Sequence, residues 1–183
     1  MTTAGAAFPS GRAETVICKD NIESRTTRNV KAFAQFQRLG NRAMKVLLTN
    51  DDGIHAPGLQ ALYQAFRRRH SVWVVAPDRE RSAVAHGITL HNPLRAARIR
   101  VNGGFEGYGV DGKPADCIKL GLTSLLRERP DVVVSGINPG ANVGISINYS
   151  GTVAAAREAS LFGLPALAVS INGFEIEDYD GAA

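Results

Sequence analysis

A run of three consecutive β-branched residues, Val132-Val133-Val134, is the feature that most constrains what this chain can fold into. A strand with one face in water alternates apolar and polar residues, so an uninterrupted run predicts a strand that is covered on both faces. Strands of that kind belong to parallel sheets, in which helices cross over between neighbouring strands. We therefore expect an α/β fold built on a mostly parallel sheet.

The sequence after Met44 alternates short apolar segments with amphipathic ones. The apolar segments predict four strands, Lys45–Thr49, Val72–Ala76, Asp131–Ser135 and Ala166–Ser170. Apolar residues at helical spacing predict three helices, Leu59–Arg69, Ala115–Leu126 and Thr152–Phe162. Strands that alternate with helices in this way are typical of a doubly wound, Rossmann-like sheet.

This alternation is interrupted between Pro77 and Pro114. Three short strands are predicted in the interval, at Ile88–Leu90, Ala97–Val101 and Gly104–Val110. An Asn-Gly-Gly sequence precedes the last of them, and it is a strong hairpin turn signal. We expect a small β-hairpin excursion from the main sheet, which is a common place for substrate contacts.

The basic character of the chain is confined to residues 1–43. The formal net charge is +4, and residues 1–43 hold seven basic and three acidic residues, whereas residues 44–183 hold 14 of each. The charge therefore gives no indication of a nucleic-acid polymer as partner. Met44 is the only methionine besides Met1. We interpret residues 1–43 as an N-terminal extension, either disordered or upstream of the native start, with a short helix allowed at Val30–Leu39, and residues 44–183 as the functional domain.

Composition also limits where the protein works. No apolar stretch approaches the roughly 20 residues that a membrane span requires, and the chain does not open like a secretory signal. Cys18 and Cys117 are far apart, which argues against a disulfide framework and fits a reducing compartment. We expect a cytoplasmic protein that does not bind membranes.

Two adjacent carboxylates, Asp51 and Asp52, follow the first predicted strand and precede Gly53. Ligands of open α/β sheets bind at the carboxyl ends of the strands. Neighbouring carboxylates repel each other unless something neutralises them, and a divalent cation commonly does so. An Asx turn with a helix cap is the alternative, but it does not require the second aspartate.

Polar loops also follow the other predicted parallel strands, and strand polarity would bring several of them to one edge of the sheet. Ser82 and Asn138 offer neutral oxygens there. With the two aspartates they form an oxygen-only set that suits Mg²⁺ or Mn²⁺. The four histidines show no ligand spacing and both cysteines lie outside these loops, so zinc is disfavoured.

A Ser-Gly-Thr sequence at positions 150–152 stands at a predicted helix start, where hydroxyls and backbone N–H groups can bind an anion. Taken alone, Ser150 is more simply an ordinary helix cap, and the anion interpretation gains only from a nearby metal site. The chain contains no NTPase P-loop, no dinucleotide fingerprint and no nucleophile elbow.

Five segments of the chain resemble the family of the stationary-phase survival protein SurE, which comprises metal-dependent nucleotidases and acid phosphatases. In the family's order, the segments are Leu47–Gly58, Val74–Ser82, Val110–Cys117, Val133–Gly144 and Tyr149–Ala156. The resemblance implies hydrolysis of nucleoside 5′-monophosphates to nucleoside and phosphate, with 3′-monophosphates as further candidate substrates. Lys113 departs from the family, in which a small or hydroxyl residue is usual at that position.

The resemblance also implies roles for individual residues. It makes Asp51 and Asp52 catalytic, and it gives one divalent cation, Mg²⁺ or Mn²⁺, the ligands Asp51, Asp52, Ser82 and Asn138. Residues near the phosphate would be Asn50, Asn142, Ser150, Gly151 and Thr152. The cation would polarise the phosphoryl group and activate water, with direct attack by one aspartate as the alternative.

The family forms homodimers or homotetramers and continues beyond residue 183 into further sheet structure and a segment exchanged between subunits. We therefore expect the C-terminal part of the family fold to be missing from residues 44–183. Two other functions compete with the nucleotidase. One is an inactive remnant that binds metal or nucleotide without turnover. The other is a receiver-like signalling module, which also has an acidic pair after its first strand.

Overall fold

The computed structural model describes residues 42–101, 104–173 and 179, together with the backbone of residues 13–18. The strands are β1 (Ala13–Cys18), β2 (Lys45–Thr49), β3 (Ser71–Pro77), β4 (Ala96–Val101), β5 (Phe105–Val110), β6 (Val132–Pro139) and β7 (Ala166–Ile171). The α-helices are α1 (Pro57–Phe66), α2 (Pro114–Leu120) and α3 (Gly151–Leu161). A π-helical segment (Gly121–Leu125) follows α2, and a 3₁₀ helix (Gly144–Asn148) precedes α3.

Within the described residues, seven strands form one sheet in the order β1-β7-β6-β2-β3-β5-β4. The five inner strands run parallel to one another, whereas β1 and β4 pair antiparallel with them at the two edges. This arrangement confirms the predicted α/β fold with a mostly parallel sheet and a small hairpin, β4–β5.

The β-branched run is buried on both faces of the sheet, as its sequence predicts. Val132 and Val134 pack in a core that includes Leu59 of α1, whereas Val133 packs in a second core that includes Val153 of α3. All three valines of the run are at most 1% exposed. Helices therefore cover both faces of the sheet at its centre.

The helices differ from the predicted ranges by a few residues at their ends. Helix α1 begins at Pro57, because proline at a first helical position lacks only an N–H group that would have no partner there. Helix α2 ends at Leu120 instead of continuing to Leu126. The N–H of Leu126 donates to the Gly121 carbonyl at 3.0 Å, which is the wider hydrogen bond of a π-helical turn.

The predicted strand at Ile88–Leu90 is wrong. The backbone N–H of Thr89 donates to Asp116 Oδ1 at 2.9 Å, and its hydroxyl donates to Asp116 Oδ2 at 2.7 Å. A buried carboxylate thus takes donors that a strand would offer to a neighbouring strand. Of the three strands predicted between Pro77 and Pro114, the structure has the two that form the β4–β5 hairpin.

Part of the predicted N-terminal extension joins the sheet. Strand β1 pairs antiparallel with β7, with Ala13 opposite Ile171. The expectation that residues 1–43 are disordered or precede the native start stays a prediction. The helix considered at Val30–Leu39 lies outside the described residues, and the boundary at Met44 stays a prediction. No helix in the described part of the chain is long and apolar enough to cross a membrane.

Candidate active site

The loops that follow β2, β3 and β6 leave the same edge of the sheet, because these three strands are mutually parallel. Backbone hydrogen bonds join the first two loops. The N–H of Arg81 donates to the Asp51 carbonyl at 2.7 Å, and the N–H of Ile54 donates to the Pro77 carbonyl at 2.8 Å. The loop that carries Ser82 is thus fixed beside the loop that carries the aspartates.

Asn50 shapes the turn that presents the two aspartates. It is fully buried, its Nδ2 donates to the Gly53 carbonyl at 2.9 Å, and the N–H of Gly53 donates to its Oδ1 at 3.2 Å. Gly53 has a φ of 101°, and a Cβ there would lie 3.0 Å from the backbone of Arg79. The turn therefore requires glycine. Because both polar ends of Asn50 are engaged in it, the predicted phosphate contact of Asn50 stays a prediction.

Asp51 is buried, with 5% of its surface exposed. Its Oδ1 accepts a hydrogen bond of 2.5 Å from the Thr152 hydroxyl, which joins the end of β2 to the first turn of α3. Burial raises the pKa of Asp51, and the hydrogen bond from Thr152 opposes that rise. Thr152 is itself fully buried. The structure therefore pairs its hydroxyl with Asp51, and the predicted contact of Thr152 with phosphate stays a prediction.

Asp52 has a buried oxygen, Oδ2, that finds no hydrogen-bond partner. Burial, followed by the charges of Asp51 and Glu80, raises the pKa of Asp52 to about 7. Such a carboxylate lacks compensating positive charge, and a bound cation would supply it. The orphaned oxygen and the acidic surroundings both fit the predicted metal site.

The two predicted neutral ligands use their polar hydrogens in hydrogen bonds to neighbouring groups. The Ser82 hydroxyl donates to Glu80 Oε1 at 2.7 Å, and Asn138 Nδ2 donates to the Gly140 carbonyl at 2.7 Å. The lone pairs of Ser82 Oγ and Asn138 Oδ1 therefore stay available to a cation. Asn138 lies within β6 instead of in the following loop, just after an irregularity in the pairing of β6 with β7.

The donor set differs from the clusters of ionisable ligands that hold zinc. Among the described residues, no group of three or more His, Cys, Asp or Glu side chains could hold a metal ion. The predicted set has only two carboxylates, and its remaining ligands are a hydroxyl and an amide. Oxygen donors of this kind match the preference of Mg²⁺ and Mn²⁺.

The start of α3 lies against Asp51. Ser150 is the N-cap of this helix, and its Oγ accepts a hydrogen bond of 3.1 Å from the N–H of Val153. This confirms the helix-cap interpretation of Ser150, whereas its predicted phosphate contact stays a prediction. A Cβ at Gly151 would lie 2.8 Å from Asp51 Cβ and 2.9 Å from Asp51 Oδ2. Only glycine allows the helix to approach the aspartate so closely.

Asn142, the remaining residue predicted to contact phosphate, lies between β6 and the 3₁₀ helix. Its Nδ2 donates to Ser170 Oγ, near the end of β7, at 2.7 Å. This bond anchors the loop to the same edge of the sheet. Its predicted contact with phosphate stays a prediction.

Two residues near the aspartates escaped the sequence analysis. Glu80, in the loop after β3, is exposed, yet its charge contributes, after burial, to the raised pKa of both Asp51 and Asp52. Its position two residues before Ser82 was the available signal. Tyr179 packs against the core on the α1 side, and burial together with the charge of Asp52 raises its pKa. No local pattern around Tyr179 pointed to this contact.

Comparison with known proteins identifies the family. The sequence profile described as Survival protein SurE matches residues 46–183. This chain belongs to the SurE family. The "5′-nucleotidase SurE" of Desulfatibacillum aliphaticivorans is 62% identical over 129 residues, which cover 70% of this chain and 51% of that protein.

Other members of the SurE family agree with this assignment. The "5′-nucleotidase SurE" of Heliobacterium modesticaldum is 52% identical over 141 residues, covering 76% of this chain and 52% of that protein. The crystal structure of the SurE protein from Aquifex aeolicus superimposes with a TM-score of 0.59 at 44% identity, covering 67% of this chain and 48% of that one. The chain thus spans about half the length of the curated relatives that it matches.

Proposed function

We propose that this chain carries the active site of a nucleotidase that hydrolyses nucleoside 5′-monophosphates to nucleoside and phosphate with the help of one divalent cation. The observation that carries the proposal is the Asp51–Asp52 pair, in which one buried oxygen of Asp52 has no partner. Relatives named 5′-nucleotidase SurE support the reaction class.

Asp51, Asp52, Ser82 and Asn138 are the residues that would hold Mg²⁺ or Mn²⁺. A cation bound there would polarise the phosphoryl oxygens and lower the pKa of a water molecule. Thr152 holds Asp51 in one orientation through its hydroxyl. With a pKa of about 7, Asp52 is partly protonated near neutrality and must be ionised to bind a cation.

Phosphate would bind at the start of α3, where backbone N–H groups and the positive end of the helix dipole favour an anion. Ser150 and Gly151 stand at that start, and Asn142 is anchored nearby to the end of β7. Thr152 and Asn50 would support this site from behind, since their side chains are buried and hydrogen-bonded within the protein.

Several finer assignments belong to the same proposal. Acid phosphatase activity and hydrolysis of 3′-monophosphates are further reactions that such a site could support. We place the protein in the cytoplasm as a homodimer or homotetramer, in line with the family resemblance, with a nucleoside monophosphate as its small-molecule partner. The receiver-like alternative loses its basis, because a receiver requires a phospho-accepting aspartate where this chain has Ser135 and Asn138.

Phosphate release separates the enzyme from an inactive remnant. The purified chain is incubated with AMP, GMP or a nitrophenyl phosphate in the presence of Mg²⁺ or Mn²⁺, and the same reactions are repeated with EDTA. We expect activity that EDTA abolishes and that Asp51→Asn eliminates, although asparagine can still accept the hydrogen bond from Thr152. Calorimetric binding of Mn²⁺ without any phosphate release would instead identify a remnant.

A further inference from the structure

Helix α3 carries a buried carboxylate that the proposed phosphate hydrolysis does not use. Glu158 is only 9% exposed, and its Oε2 lies 2.8 Å from Nε2 of His86. An ionised carboxylate can only accept a hydrogen bond, so Nε2 of His86 carries the hydrogen. A buried carboxylate is stable only with such a partner, which means that the contact holds His86 firmly against α3.

The segment between Ser82 and His86 has an unusual backbone. Ala83 and Ala85 have φ values of 55° and 51°, in the left-handed region that residues with a Cβ rarely adopt. Such strain persists only where the surroundings impose it. The N–H of Ala85 donates to the Tyr149 carbonyl at 3.1 Å, and the next residue, His86, binds Glu158. Two contacts with the region of α3 thus hold the strained segment.

We propose that His86 and Glu158 form a positioning pair that fixes Ser82 for the cation. The inference rests on the proposed function, because it takes Ser82 as a metal ligand. Helix α3 would then organise two ligands at once, orienting Asp51 through Thr152 and placing Ser82 through the His86–Glu158 pair. Without the pair, the strained segment would relax and the Ser82 hydroxyl would lose its orientation, although the neighbouring Arg81 stays hydrogen-bonded to the Asp51 carbonyl.

The chain offers a matched control farther along the same loop. Thr89 fastens the loop to α2 through its hydrogen bonds to Asp116. Its acceptor is also a buried carboxylate, but the contact follows His86 and does not hold the segment that leads back to Ser82. Loss of the Thr89 hydroxyl should therefore affect stability and not the cation.

Calorimetric titration with Mn²⁺ tests the inference on the purified chain. We expect His86→Ala to weaken Mn²⁺ binding by about tenfold to a hundredfold, the usual effect of losing a group that orients a metal ligand. His86→Gln, whose amide can donate to Glu158, should restore most of the affinity. Thr89→Ala should lower the thermal midpoint and leave Mn²⁺ affinity unchanged. If His86→Ala fails to fold, the double variant His86→Ala/Glu158→Ala avoids the unpaired buried carboxylate and should show the same weakened binding.

If the inference is right, the loss of Mn²⁺ affinity in His86→Ala depends on the presence of Ser82. In a Ser82→Ala background, His86→Ala should cause no further loss of Mn²⁺ affinity. An equal loss in both backgrounds, or unchanged affinity in both His86→Ala and the double variant, would overturn the positioning role while leaving the proposed metal site intact. Unchanged Mn²⁺ binding in Ser82→Ala alone would instead overturn the proposed ligand set, and this inference with it.

Discussion

Buried carboxylates at the end of β2 and at the start of α2 differ in their hydrogen-bond partners. Asp116, at the start of α2, is 2% exposed and accepts hydrogen bonds of 2.9 and 2.7 Å from Thr89 and of 2.9 Å from the N–H of Lys113. At the end of β2, Asp52 keeps an oxygen without a partner beside the buried Asp51. Hydrogen-bond donors compensate the charge of Asp116, whereas the negative charge of the aspartates after β2 is left uncompensated.

The comparison teaches that hydrogen bonding separates a structural carboxylate from a functional one better than burial does. Asp116 also lies in the first turn of a helix, where the dipole stabilises a negative charge. Asp51 and Asp52 follow a strand, where burial, followed by the charges of Asp51 and Glu80, raises the pKa of Asp52 instead. The cation that we propose would compensate this pair.

The largest contrast is expected when each region loses its charge. Asp52→Asn should reduce kcat/KM for AMP by at least about a hundredfold, because it removes a cation ligand and with it the metal's stabilisation of the transition state. Its unfolding free energy without metal should not fall, since a repulsive buried charge has been removed. Steady-state kinetics and urea unfolding measure both effects. Wild-type activity in Asp52→Asn would show that catalysis does not need the Asp52 carboxylate.

Asp116→Ala should show the reverse, a loss of stability with nearly unchanged activity. Loss of the carboxylate leaves the donors of Thr89 and Lys113 without their acceptor and should lower the unfolding free energy by about 2–4 kcal/mol. The kcat/KM of the folded fraction should stay within a few-fold of the wild type. Urea unfolding gives the stability, and kinetics below the transition give the activity. Unchanged stability with impaired Mn²⁺ binding would show that Asp116 serves the active site.

The pH dependence of stability should report on the carboxylates at the end of β2. The pKa of Asp52 is raised from its ordinary 3.8 to about 7, so the metal-free folded state binds a proton that the unfolded state has released. This stabilising contribution is fully present below the ordinary value and is lost as the pH rises through about 7. Metal-free unfolding free energy should therefore fall between about pH 4 and about pH 7, and Asp52→Asn should reduce that slope.

Below the raised pKa of Asp52, Mn²⁺ should also bind more weakly, by up to about tenfold for each pH unit, because a proton must leave first. Calorimetric titration across this range measures the dependence. A Mn²⁺ affinity that does not change with pH would mean that Asp52 does not ligate the cation.

The smallest expected effect is at the cap of α3. Ser150→Ala removes the acceptor for the N–H of Val153 and should cost about 1 kcal/mol of unfolding free energy. A phosphate contact by Ser150 would add a several-fold rise in the inhibition constant of inorganic phosphate. Ser150→Thr serves as the control, because it keeps a capping hydroxyl. A change in stability alone would assign Ser150 to the fold and remove it from the site.

Much of this arrangement follows from local patterns in the sequence. The valine run and the alternation of strands and helices predicted the parallel sheet, because burial imposes a period on each element separately. The same polarity argument predicted that Asp51, Ser82 and Asn138 leave one edge of the sheet. It needed only the direction of each strand, which the order of elements supplies.

The misplaced strand at Ile88–Leu90 shows where such patterns fail. Its short apolar alternation satisfied the rule for a strand, but the donors of Thr89 go to Asp116, 27 residues away in sequence. The effect of Glu80 on the pKa of both aspartates was not predicted either, because it depends on how the loop after β3 packs against the loop after β2. In both cases the deciding neighbour lies in another element.

The sequence alone therefore determined the class of fold, the position of the paired aspartates and an oxygen-rich set of candidate ligands. Only the tertiary structure decided which polar groups satisfy one another. Thr152 reaches Asp51 across 101 residues and His86 reaches Glu158 across 72. The physical reason is that strand and helix periods arise from neighbours along the chain, whereas a buried charge finds its partner among whatever side chains packing brings within about 3 Å.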